Sequence, residues 1–246
     1  MSNYLLECCV DSTVSALQAE KGGAGRLELC SNLVIGGTTP TLALFKQIRE
    51  NTDIPVHVLI RPRFGDFLYS AQELAVIISE IDMFREAGAD GIVIGCLTSD
   101  GNLDCRVMEQ LIDHCGQLKI TLHRAFDMCQ DPFRTLEEAK KLGIHTILTS
   151  GCKPTCLEGI DLLRQLDIRA EDAVTIMAGA GVNEAAVRTL LRETALTTFH
   201  MSGKRILESG MSYRNPEVSM GIPGMSEYER WETDAAAVAA VKKLLA

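Results

Sequence analysis

Two short segments, Glu7-Cys8-Cys9 and Glu28-Leu29-Cys30, each place a carboxylate two positions before a thiol. In an extended strand a period of two puts both members of each pair on one face. If that face is interior, an unpaired carboxylate is costly there, so Glu7 and Glu28 need a cationic partner or a raised pKa. Arg61 shares the parity of His57 on a third apolar run and is the expected partner. Of the five histidines, His57 opens that run, His123 and His200 close two later ones, and His114 and His145 fall at helix ends. Glu7, Glu28, His57, Arg61, His123 and Asp127 are therefore the candidates for acid/base chemistry. A buried ion-pair network that merely fills the core is the plainer reading.

Cys9 and Cys30 end neighbouring runs, and adjacent strands lie about 4.8 Å apart. Two sulfurs so placed could converge on one soft ion, and a thiolate pair suits Cu(I). The alternative is that each is a small buried hydrophobe. Nine cysteines, an odd number with no C-x-x-C pair, fit reduced thiols and a cytoplasmic location better than a disulfide framework.

A third kind of chemistry is anion binding. Gly179 and Gly181 follow one apolar run and Ser202-Gly203-Lys204 follows the next. Glycines let backbone N–H groups approach a phosphate or carboxylate. Arg124, Ser150, Gly179, Gly181, Ser202 and Gly203 are the anion-binding candidates, against the reading that the glycines only make tight turns. Hydrolytic zinc patterns such as H-E-x-x-H are absent from the sequence, and Lys119 and Lys153 are poorly placed for a Schiff base.

What must position these residues is an alternation. β-rich apolar runs occur at 5–9, 26–30, 56–60, 91–95, 120–123, 146–149, 174–178 and 198–201. Helical spacing lies between and after them, at 13–21, 41–51, 71–87, 105–115, 132–142, 156–165, 184–193 and 226–245. Thr39-Pro40 and Asp131-Pro132 read as helix starts, Gly88 and Gly143 as stops. Eight βα units predict an α/β fold, a single (β/α)8 TIM-type barrel domain over 1–246, with active residues at the C-terminal ends of the strands. A doubly wound sheet would want G-x-G-x-x-G after the first strand, and residues 5–11 have no glycine. A long irregular loop is expected at 203–225, covering a site or making an interface.

The chain has 246 residues, 46% hydrophobic and 23% charged, and so has material for a sizeable core. Its net charge of −9 and lack of basic blocks argue against nucleic acid as a partner. The apolar runs are strand-length, so no membrane partner and no export signal are expected.

Several of these stretches together resemble CutC-type copper homeostasis proteins. They are Leu6-Glu7 with Cys9, Arg26-Leu27-Glu28-Leu29-Cys30, Gly36-Gly37 with Thr39-Pro40, Ile60-Arg61-Pro62-Arg63, His123-Arg124-Ala125-Phe126-Asp127-Met128, Thr149-Ser150-Gly151, Met177 to Val182 and Tyr213-Arg214-Asn215. The resemblance implies a TIM-type barrel, a cytoplasmic location, self-association as a homodimer and a role in copper handling. It places copper, as Cu(I), on Cys9 and Cys30. The competing expectation is a barrel enzyme acting on a small phosphorylated or carboxylated metabolite. A third is a scaffold whose acidic surface docks another protein.

Overall fold

The computed structural model describes residues 4–222 and 224–246. Residues 1–3 of the expected domain and residue 223 of the expected loop lie outside the described residues. Eight parallel strands close into a barrel: β1 (Leu5–Val10), β2 (Arg26–Leu29), β3 (Val56–Leu59), β4 (Gly91–Ile94), β5 (Lys119–Leu122), β6 (Thr146–Thr149), β7 (Thr175–Ala178) and β8 (Thr198–Met201). Helices α1 (Thr13–Lys21), α2 (Leu42–Arg49), α3 (Ala71–Glu86), α4 (Cys105–Cys115), α5 (Pro132–Lys141), α6 (Ile160–Ala170), α7 (Glu184–Glu193) and α8 (Ala235–Leu244) follow the strands in turn. The protein is a (β/α)8 TIM barrel.

Alternation along each strand divides the core. Leu6, Cys8 and Val10 of β1 point outward and join Leu27, Val58 and Ile92 in the large apolar layer under the helices. Residues of the opposite parity fill the lumen, where Cys9, Cys30, Leu59 and Val93 form a small separate cluster. Closure is made by β1 against β8, with Glu7 opposite His200 in the register.

Helix starts follow local chemistry. Ser70 and Glu73 form a reciprocal capping box at α3. Asp131 caps α5, whose first residue is Pro132. The start expected at Thr39-Pro40 lies later, because the Thr41 hydroxyl accepts from Leu44 N–H and sets the boundary. Helix α6 likewise begins at Ile160 rather than 156, after a turn-rich stretch that contains Cys152 at positive φ.

The largest departure is at the end of the chain. The expected irregular stretch opens with strand β9 (Lys204–Glu208), and the expected last helix opens with strand β10 (Glu229–Thr233). The two pair antiparallel as an arm beyond the barrel, Trp231 opposite Ile206. Residues 204–208, Lys-Arg-Ile-Leu-Glu, and 229–233, Glu-Arg-Trp-Glu-Thr, are mostly charged and show no period of two, so nothing local marks them as strands. Among the described residues no helix is long and apolar enough to cross a membrane.

Candidate functional site

A cavity of about 610 Å³ opens where the C-terminal ends of the barrel strands meet their loops. Cys9, Glu28, Arg61, His123, Arg124, Asp127, Gly181, His200 and Ser202 all line it, with Leu59, Phe67 and Leu148 as apolar wall.

Beneath its floor lies Glu7, fully buried. Burial alone would raise its pKa, but Arg26 and His200 beside it hold it down at about 2. Nε of Arg26 donates to Glu7 Oε2 at 2.5 Å and Nδ1 of His200 donates to Oε1 at 2.7 Å. Arg61 is thus not the partner of this carboxylate. It sits two residues beyond β3, where its guanidinium reaches the carbonyls of Gly36, Gly37 and Gly65. Arg26 takes that role from the start of β2, where its parity with Glu28 places it in the lumen.

With Nδ1 committed to Glu7, Nε2 of His200 faces Glu28 Oε2 at 3.7 Å. Burial disfavours the imidazolium, yet Cys9 and the carboxylates of Glu28 and Glu7 outweigh it and hold its pKa well above the ordinary value. Burial raises the Glu28 carboxyl; His200 draws it down and Glu7 pushes it up. Cys9 Sγ, a Glu28 oxygen and a His200 ring nitrogen lie within 4.8 Å of one another, close enough to share one metal ion. Cys30 stands outside this trio. Its thiol is 3.4 Å from Glu28 Oε2, and burial followed by the Glu28 charge pushes its pKa well up. Cys9 and Cys30 share the small lumen cluster, so the expected pair of sulfurs stands beside a sulfur, nitrogen and oxygen set. The sequence signal for His200 is its place near the end of the eighth apolar run.

Sulfur and imidazole donors suit copper. A ring whose second nitrogen is bonded to a carboxylate is the usual way a metal-binding histidine is oriented. The residues present fit such an ion.

A CutC family profile matches residues 4–205. The chain belongs to the CutC family. A CutC protein of Bacteroides fragilis is 46% identical over 94% of this chain and 92% of its own length. The copper homeostasis protein cutC homolog of Mus musculus is 43% identical over 96% and 88%. The crystal structure of CutC from Streptococcus agalactiae superposes with a TM-score of 0.77 at 30% identity, covering 81% of this chain and 98% of the other.

The remaining candidates in this CutC chain divide by height in the barrel. His57 lies below the mouth, its ring filling the space that a side chain at Gly91 would take. Burial, then Arg26, lowers its pKa to about 4. His123 is at the mouth, in the space left by Gly95 and 4.7 Å from the Phe67 ring. Asp127 reaches the cavity wall but is engaged by Thr149 Oγ1, by the backbone N–H groups of Ser150 and Cys152, and by Arg124 Nε. Ser150 serves that clamp, donating from its hydroxyl to the Lys153 carbonyl. Gly179 makes room for Leu148, and Gly203 packs on Val238 of α8. Lys204, on the arm, stacks its ammonium over Trp231 at 3.2 Å.

Proposed function

We propose that this CutC protein takes part in copper homeostasis by holding Cu(I) through Cys9 Sγ and His200 Nε2, each giving up its proton to solvent as the ion binds, with Glu28 completing the set and Cys30 as the next available sulfur. The observation that carries the reading is the Cys9, Glu28, His200 trio with its imidazole fixed by Glu7. Copper here is cargo, and a site walled by Leu59 and opening into one cavity suits capture and release.

The test is an anaerobic Cu(I) titration against a chromophoric chelator, run on the native protein and on Cys9→Ser, Cys30→Ser and His200→Gln separately. One equivalent bound by the native chain, abolished in Cys9→Ser, strongly weakened in His200→Gln and kept in Cys30→Ser, is expected. Loss in Cys30→Ser with full binding in His200→Gln would replace the trio with the two-cysteine site. Equal binding by all four would end the copper reading.

All nine cysteines are free, which supports a reducing compartment, and we place the protein in the cytoplasm. Fractionation that finds it outside the cytoplasm overturns this. We also propose a homodimer, since Ile206, Met211, Tyr213 and Met220 are exposed around the arm. Sedimentation equilibrium giving a mass near twice 26.8 kDa supports it, and a mass of one chain rejects it.

A further inference from the structure

We infer that the barrel mouth also binds a small organic anion, through a carboxylate or phosphate group held by Arg61 and by the Nε2–H of His123. The inference does not rest on copper.

Lumen charges are matched in one place and unmatched in another. Arg26 has Glu7, and His200 has both Glu7 and Glu28. Arg61 is 8% exposed, yet its guanidinium meets only carbonyl oxygens: Nη1 donates to Gly36 at 3.3 Å and Gly37 at 3.1 Å, and Nη2 to Gly65 at 2.8 Å. Its Nε is buried with no partner. It forms no ion pair with a carboxylate among the described residues, and its guanidinium lies over the Phe67 ring, 4.9 Å from the centroid. A buried cation without a counter-charge is costly unless something supplies that charge.

His123 points to the same missing group. Its Nδ1 accepts from the Ala125 N–H at 3.1 Å, which leaves the ring proton on Nε2. That nitrogen too is buried without a partner, on a ring only 4% exposed. Burial, then the Arg61 charge, lowers the imidazole pKa to about 3, so the ring is a neutral donor at physiological pH. Phe67 and the bare backbone of Gly95 hold it in place.

Both donors belong to side chains lining the 610 Å³ cavity, a volume typical of metabolite pockets. A water molecule would satisfy the hydrogen bonds, but it would leave the Arg61 charge unbalanced. An anionic oxygen pair does both.

The experiment titrates metal-free protein with inorganic phosphate in one arm and pyruvate in the other, following the His123 ring nitrogens by NMR together with thermal melting. At least one anion is expected to move the Nε2 resonance saturably and raise the melting temperature. Phosphate alone acting assigns a phosphorylated ligand, and pyruvate alone a carboxylated one. Arg61→Met and His123→Phe are each expected to weaken binding by about tenfold or more, and His123→Gln, which keeps an N–H, by less. No response to either anion at tens of millimolar overturns the inference, as does undiminished binding in Arg61→Met. Should Arg61→Met not fold, undiminished binding in His123→Phe overturns it. Arg61→Met is expected to bind copper normally, so the two sites fail separately.

Discussion

Glu7 on the first strand and His200 on the last are joined by a 2.7 Å hydrogen bond across the seam where the barrel closes. The same carboxylate takes the Arg26 guanidinium, so one buried group orients the candidate metal-binding imidazole and neutralises a lumen cation. Glu7→Gln keeps the size and removes the charge. Copper affinity is expected to fall by about 10- to 100-fold with all three proposed ligands intact. Stability is expected to fall by about 3 kcal/mol or more, because Arg26 is left buried beside a neutral amide. Chelator competition and urea unfolding measure the two effects; unchanged affinity would mean that Glu7 does not set the imidazole.

Gly95 has no side chain because the His123 ring occupies that space: a Cβ there would lie 2.7 Å from the imidazole. Gly95→Ala is expected to destabilise by about 1–3 kcal/mol through overpacking and to shift the His123 ring resonances. An alanine variant with native stability and native His123 shifts would show that the ring is free to move.

Stability should fall as the solution is acidified below pH 6.5. His57 and His123 are held neutral in the fold, with pKa values of about 4 and about 3, whereas in the unfolded chain a histidine titrates near 6.5. Between those values the unfolded chain binds more protons, so each depressed histidine removes stability as pH falls. For His57 the loss is of the order of 3 kcal/mol by pH 4. Urea unfolding from pH 7 to pH 4 is expected to show this slope, reduced in His57→Gln. A slope that is the same in the variant would remove His57 as its source.

Asp127 accepts from Thr149 Oγ1 at 2.5 Å, from Ser150 N–H at 3.0 Å and from Cys152 N–H at 3.1 Å, tying the turn after β5 to the loop after β6. An asparagine there turns an amide toward donors. Asp127→Asn is expected to lower stability by about 2–3 kcal/mol and to speed amide exchange at Ser150 and Cys152. Exchange that stays as slow as in the native chain would mean that the loop holds itself.

The barrel was legible in the sequence because each βα unit repeats its period-two and helical signals, and errors of a few residues at Thr39-Pro40 or at 156–165 do not disturb that count. The arm was not, since β9 and β10 are five residues each and pair across a separation that no local pattern reports. Within the site, parity alone put Glu7 with Cys9 and Glu28 with Cys30, each pair on one face of its strand. Which cation met which carboxylate depended on register, and register across the β1–β8 seam joins residues nearly two hundred positions apart. Arg61 was a reasonable partner by strand parity, but the glycine-rich loop after β2 offers its carbonyls first.

Cys9 and Glu28 come from the first two strands and His200 from the eighth. A chain still being synthesised carries the thiol and the carboxylate early but cannot supply the imidazole until nearly all of the barrel has left the ribosome. On the proposed reading a half-made molecule therefore offers copper an incomplete set of donors, and the third joins Cys9 and Glu28 only when the first and last strands meet.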